Sequence, residues 1–433
     1  MKLTKFIFIS VLFFAIGGCE IDDNPNPNGS SIGGFNQNAS KSELQTLVTG
    51  IEDLVRQDFG FYYDVTAIIG REYYFFTGSD PRYTGEVLGK GDSQLDNAGF
   101  YGTRPYLGRY RTIKNANVLI DAVSNSQQIT AEEANGYLGF AKTMQAHEYL
   151  IALNLQYENG IRIDVADPDN LGPFVDYNAA LTAIRSLLDE AANHLADAGA
   201  AFPFKLSIAM AGFDTPETFL KFNNALGARV ALYQGDMAEA NKRLTDSFMD
   251  LDGDMNTGPA RFYSTSGGDF ANNLFRPLDQ ADAIIVHPDV VADLTPGDAR
   301  AAKMVERASG SLSLDGLSGT HDVWVFKSLE DFVPYIRNEE LVLIYAEANV
   351  GTNNAEAVNA INKVRNANNI GDYNGGTSDA ELMDEIAHQR RYSLFGEGHR
   401  WVDMRRWGRL SELPVDRPDD DVWVQFPRPV GEN

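Results

Sequence analysis

The sequence predicts a mainly α-helical protein, and three observations predict it. Apolar residues recur every three to four positions through long segments that open on capping residues. Strand signals are few, with "DVWVFKS" and "DVWVQFP" the clearest. Two segments share the order small residue, helix end, glycine turn, alanine on the next helix, which is the pattern of a tetratricopeptide helix pair.

The first helix follows from "SELQTLVTGIEDLVRQDF", where Leu44, Leu47, Val48, Ile51, Leu54 and Val55 fall at helical spacing after Ser42 as cap. In "GRYRTIKNANVLIDAVSN", Tyr110, Ile113, Asn117 and Ile120 repeat the period. The segment beginning at Thr130 has Glu133 three residues on, a capping box. "NAALTAIRSLLDEAANHLADA" is amphipathic. Thr215 caps the next helix, with Pro216 in its first turn. The repeat echo joins Ala228, Gly235 and Ala240 to Ala346, Gly351 and Ala357. Small residues let paired helices approach, and glycine permits the positive φ of the turn.

Cys19 is the only cysteine among 433 residues. Lys2 and Lys5 precede an apolar run from Phe6 to Ile16, which has the length of a signal-peptide core, and Ala15, Gly17 and Gly18 lead into Cys19. This arrangement resembles a bacterial lipoprotein signal. It implies cleavage after residue 18 and lipid on the Cys19 sulfur, with more than two acyl chains as a near-permanent anchor. Residues 19–40 carry Glu20, Asp22 and Asp23 and then an Asn/Pro/Gly/Ser tract too polar to fold, a tether. The acidic residues after the cysteine resemble a surface-export signal of Bacteroidetes lipoproteins. Residues 41–433 are read as one domain.

The chain carries a formal net charge of −25, and loss of residues 1–18 would remove Lys2 and Lys5 and no acid. Such a field repels nucleic acid and anionic lipid. With no second cysteine there is no disulfide, so packing alone holds the fold.

The C-terminal part carries a family resemblance. "PYIRNEELVLIYAEANVG", "AVNAINKVRNANN", "LMDEIAHQRRYSLFGEGHRWVDMRRWGRL" and "FPRPVGEN" follow in order, and "GFAKTMQAHEYLIALNLQYENG" agrees in the N-terminal half. Together they resemble the SusD/RagB family of Bacteroidetes surface lipoproteins. Gly396-Glu397-Gly398 is similar to that family's turn, and Arg400 to Arg406 to its Arg-Trp-x-Asp-Leu-Arg-Arg run. The resemblance implies a SusD-like fold, helix pairs with irregular loops and a little β. It also implies capture of a glycan, or sometimes a peptide, for a SusC-like TonB-dependent transporter in the outer membrane, without catalysis. Trp401, Met404 and Trp407 share a helical face and are expected to be buried, with Arg400 and Asp403 able to pair beside them. The clustered arginines are expected to satisfy helix ends or buried carboxylates rather than a ligand.

Sugar binding requires aromatic faces and short-range polar groups on loops. Two tyrosine- and glycine-rich stretches offer them. The first gives Tyr73, Asp80, Arg82, Tyr83, Tyr101 and Tyr106 as candidate glycan contacts, with Phe75 and Phe76 assigned to the core. The second, residues 254–277, gives Tyr263, with Arg261, Asp269 and Asn272 beside it; Trp324 is a third candidate. "DLDGDMNTG" alternates Asp250, Asp252, Asp254 and Asn256 like a calcium loop, yet lacks the glycine and glutamate of an EF-hand, leaving Ca²⁺ as an open cofactor. No zinc spacing, phosphate loop or nucleophile motif is present. An all-helical glycan-degrading enzyme and a helical-repeat scaffold for protein partners stand as alternative functions.

Overall fold

The computed structural model describes residues 38–432; the signal segment, Cys19 and nearly all of the tether lie outside the described residues. Helix α1 (Lys41–Leu54) is capped by Ser40 rather than Ser42. Ser40 closes a capping box with Glu43, which places Ser42 inside the first turn. Next come α2 (Phe59–Ile69), β1 (Tyr73–Phe76), α3 (Phe100–Asn125), α4 (Ala131–Gln156), β2 (Ile161–Arg162) and β3 (Phe174–Val175). Helix α5 (Tyr177–Ala196) is followed by α6 (Pro216–Tyr233) and α7 (Met237–Thr245). The caps expected at Thr130 and Thr215 are both formed, each as a capping box.

Most of the strands lie between residues 260 and 334. This stretch runs β4 (Ala260–Arg261), β5 (Ala283–Val286), α8 (Pro288–Ala292), β6 (Met304–Glu306), β7 (Leu312–Leu314), β8 (Leu317–Gly319), β9 (His321–Val323) and β10 (Val333–Pro334). The chain then returns to helix with α9 (Asn338–Asn349), α10 (Asn354–Ala367), α11 (Asp379–Ser393) and α12 (Arg400–Arg406). Strands β1, β5, β9 and β6 form an antiparallel sheet in that order, with Tyr73 opposite Val286 and Phe76 opposite Ala283. Strand β4 pairs with β10, so residues around 261 and 333 are fixed side by side. Of the two expected strands, "DVWVFKS" contributes only its start to β9. "DVWVQFP" forms no ladder; Asp421 N–H donates to Leu88 O and Phe426 N–H to Leu155 O, tying the tail across the body instead.

Consecutive helices α3 to α7 pack pairwise, and α9, α10 and α11 pack on one another, with α9 joining them to α7 and α6. The two expected helix pairs are α6–α7 and α9–α10. Their turns hold Gly235 at φ 73° and Gly351 at φ 79°, where a side chain would be strained. Among the described residues no helix is long and apolar enough to cross a membrane.

The C-terminal arginines are committed to carboxylates and carbonyls. Trp401 and Met404 are buried, and Trp407 is half-buried. Asp403 does not pair with Arg400. It receives Arg390 through 2.7 and 3.1 Å bonds and Arg406 at 2.9 Å, because α11 packs beside α12 and brings Arg390 across. Arg406 also reaches Glu347, and Arg405 bonds Val424 O and Asn154 O. Burial alone would raise the Asp403 pKa; Arg390 and Arg406 overcome it and hold the carboxyl at about 2.

Candidate functional site

Five of the tyrosines read from the sequence as ligand faces are in the core. Tyr73 is 2% exposed, and its hydroxyl donates to Asp64 Oδ1 at 3.3 Å. Tyr83 packs on Phe75 with centroids 4.6 Å apart. Tyr101 hydrogen-bonds Glu86 and accepts from Asp96 N at 2.7 Å. Tyr106 lies against Tyr110, and Tyr263 lies beneath the Arg56 guanidinium. All five are buried, so none offers a face to a sugar. Tyr73 and Tyr101 pack their rings inward while their hydroxyls find polar partners; the Tyr106 and Tyr263 hydroxyls are buried with no partner among the described residues, so ring packing alone holds them. Burial pushes the pKa of every one of these phenols up.

The polar candidates are at the surface. Asp80 accepts from Arg82 Nε at 2.9 Å and Nη2 at 2.8 Å, and these bonds lower the Asp80 pKa. The Arg82 guanidinium sits 4.6 Å over the Phe100 ring. Trp324, directly after β9, is half-buried. Its N–H donates to Lys303 O at 2.7 Å, and its ring meets Phe275 at 5.9 Å and 56°.

Around these residues lies an aromatic platform of which the sequence named Trp324, assigned Phe75 to the core, where it is only half-buried, and left the other rings unmarked. Phe61 and Phe100 meet edge to face at 5.4 Å, Phe100 meets Tyr83 at 6.0 Å, and Tyr83 meets Phe75. Phe61, Phe75, Phe100, Phe275 and Trp324 are all half-buried, each fixed by a neighbouring ring while keeping part of its surface open. Arg104 lies 5.2 Å over Phe61, and Arg276 lies 5.6 Å from Phe75. Arg276 also stands 3.7 Å from Asp64. Burial raises Asp64 to about 6, with Arg276 opposing. Gly60, at the start of α2, abuts Asn273: a Cβ there would come within 2.3 Å of Asn273 Oδ1, so any larger residue would make the Asn273 side chain move.

Phe61, Phe75 and Phe100 stand on α2, β1 and α3, whereas Phe275 and Trp324 belong to two loops that are stitched together. Asn272 N–H donates to Leu329 O at 2.7 Å, and Asn272 Nδ2 donates to Asp331 O at 2.9 Å. Thr265 Oγ1 donates to Glu330 Oε1 at 2.6 Å. Arg56 anchors the first loop through Phe262 O at 2.8 Å and Asp269 Oδ1 at 2.6 Å. In the 254–277 stretch the sequence points to the right segment and the wrong ring. Next to extended β4, successive side chains alternate, so Tyr263 faces the core while Phe262 meets Phe332 at 5.6 Å.

On the other side of the second loop opens a cleft of about 850 Å³. Val325, Phe326 and Phe332 form one wall, Asp254 and Asn256 the rim, and Arg300, Lys303 and Arg337 the floor. Arg300 forks onto Asp298, and Arg337 onto Glu397 at 2.8 and 3.2 Å. Lys303 Nζ donates to Ser393 O at 2.6 Å and Tyr392 O at 3.0 Å; burial pushes its pKa down to about 8. A second groove, of about 610 Å³, holds Arg82, Lys90 and Asp315 and has no aromatic residue in its lining.

The acidic turn forms no cation cage. Asp250 and Asp254 accept their own backbone N–H groups two residues on, and Asp252 pairs with Lys363 at 2.5 Å. Among the described residues no three His, Cys, Asp or Glu side chains gather to hold a metal.

Residues 242–429 match the model of the SusD family. The SusD-like protein P38 of Formosa agariphila is 31% identical over 131 residues, which are 27% of this chain and 26% of that relative, so the match spans about a quarter of the relative's length. A SusD superfamily protein from Parabacteroides distasonis superposes with a TM-score of 0.70 at 16% identity, covering 91% of this chain and 97% of that one. A laminarin-binding SusD-like protein superposes with a TM-score of 0.60 at 19% identity, over 92% and 97% of the two chains. Residues 242–429 thus match the SusD family by sequence, and the chain has the SusD-like fold over about nine-tenths of its length.

Proposed function

We propose that the protein binds a glycan at the cell surface and passes it to a TonB-dependent outer-membrane transporter, held there by lipid on Cys19. The observation that carries the reading is the platform of Phe61, Phe75, Phe100, Phe275 and Trp324, with arginines over its rings. Pre-fixed aromatic faces suit the apolar side of a sugar ring, and flanking guanidiniums donate to hydroxyls. The name of one structural relative, a laminarin-binding protein, supports a glycan over a peptide. A binding rather than hydrolytic role fits the three carboxyls with raised pKa values among the described residues: Asp64 and Glu72 are buried, out of reach of a bound chain, and Glu52 accepts from Ser207 N–H.

Affinity-gel electrophoresis of the full chain in detergent, with a panel of polysaccharides, tests this. Retardation without released sugar is expected. Trp324→Ala is expected to weaken it roughly two- to tenfold, the worth of one aromatic stack. Released product, or retardation unchanged after both Trp324→Ala and Phe275→Ala, would refute the assignment.

A further inference from the structure

We propose that the cleft bounded by Asn256, Lys303 and Phe332 is a second ligand site, separate from the platform, which takes a neutral, hydroxyl-rich molecule such as a sugar unit of an uncharged glycan. Its size falls in the range of small-molecule sites, about 850 Å³ against roughly 300–1,000 Å³. Phe332 is 41% exposed and forms part of its wall, braced by Phe262 behind. That supplies a stacking face.

The polar groups decide the ligand class. Every cation of the floor is already engaged: Arg300 by Asp298, Arg337 by Glu397 and Glu339, and Lys303 by two main-chain carbonyls and the Glu397 carboxylate at 3.8 Å. No guanidinium or ammonium is left over for a carboxylate or sulfate, and the rim adds the uncompensated charge of Asp254. An anionic sugar would meet repulsion there. What remains open toward the cleft is acceptors. Asn368 donates its amide N–H groups to Glu339 Oε1 and Val364 O, and its Oδ1 receives no hydrogen bond from the described residues; neither does Asn256 Oδ1. Acceptors beside an aromatic wall match a partner that brings donors without charge, which is the chemistry of a polyol. A divalent cation also seeks oxygen, but no set of three carboxylates converges here.

The site goes beyond the platform reading and is separable from it. The full chain in detergent is run in affinity gels containing laminarin, mannan, arabinoxylan or polygalacturonate, with and without EDTA. The expected result is retardation by at least one neutral glycan, none by polygalacturonate, and no effect of EDTA. In the Trp324→Ala background a residual retardation is expected to persist, and adding Phe332→Ala is expected to weaken it roughly two- to tenfold. Asn256→Lys, an exposed change that leaves the wall intact, is expected to create salt-suppressible retention of polygalacturonate. If Phe332→Ala and Asn256→Lys leave every retardation unchanged while Trp324→Ala removes it, the platform stands and the cleft site falls. Retention of polygalacturonate by the unaltered protein, or release by EDTA, overturns the ligand class. Retention of no glycan at all sinks this proposal and the glycan reading together.

Discussion

Replacing Glu72 by glutamine is expected to stabilise the protein, and to do so more as pH rises. Glu72 is 1% exposed. Its Oε1 accepts a 3.3 Å bond from Gly396 N–H, while Oε2 has no partner among the described residues. Burial dominates and drives its pKa from 4.5 up to about 8, against the pull of Gly396 N–H, Arg400, Arg391 and Lys303. Between those two values the folded chain keeps a proton that the unfolded chain has released. The folded state therefore binds more protons, and stability falls as pH rises through that window. At about 1.4 kcal/mol per unit, the roughly 2.5 units from the unfolded pKa to pH 7 amount to about 3 kcal/mol. Glutamine has the same shape and no proton to lose, so the penalty disappears. Urea unfolding of both proteins between pH 4.5 and 8.5 measures it. The expected gap is near zero at pH 4.5, about 3 kcal/mol in favour of Glu72→Gln at pH 7, and level above pH 8. A gap that does not vary with pH would show that Glu72 ionises freely in the folded state and would refute the reasoning.

Two further perturbations address the C-terminal motif. Asp403→Asn leaves Arg390 buried without its charge partner and is expected to cost about 3–5 kcal/mol in urea unfolding at pH 7. Because the Asp403 carboxyl is held at about 2 rather than 3.8, its stabilisation is complete above pH 4, and the gap to the variant should narrow as pH falls toward 2. Gly398→Ala is expected to cost roughly 2–4 kcal/mol by the same measurement, since φ is 78° and the new Cβ would lie 2.9 Å from Tyr62 and 3.1 Å from Tyr63.

The helices were legible because their information is local. The capping boxes at Thr130 and Thr215 and the glycine turns at 235 and 351 need only neighbouring residues, and all are formed. The choice of Ser40 over Ser42 is less legible, since Ser42 has Gln45 three residues on just as Ser40 has Glu43. The sheet is not local. Strand β1 pairs with β5 some two hundred residues later, and β9 and β6 have three residues each, too short for any period to show. The site fails for a related reason. A cluster of tyrosines announces an aromatic region without saying which rings turn outward. That depends on partners such as Asp64, Glu86 and Tyr110, which only the fold brings close. The platform phenylalanines were invisible because nothing in sequence separates a half-covered Phe61 or Phe100 from a core one. The alternation beside β4 is the one signal that could have exchanged Tyr263 for Phe262.

The bonds from Asn272 to Leu329 and Asp331 and from Thr265 to Glu330 make the two ring-bearing loops one mechanical unit. An insertion in either loop would break the seam unless the other changed length to match. Divergence in this region should therefore occur in paired steps, and a graft meant to confer new ligand preference would have to carry both segments at once. A bound chain, for its part, would meet a surface whose ordering cost was met when the protein folded.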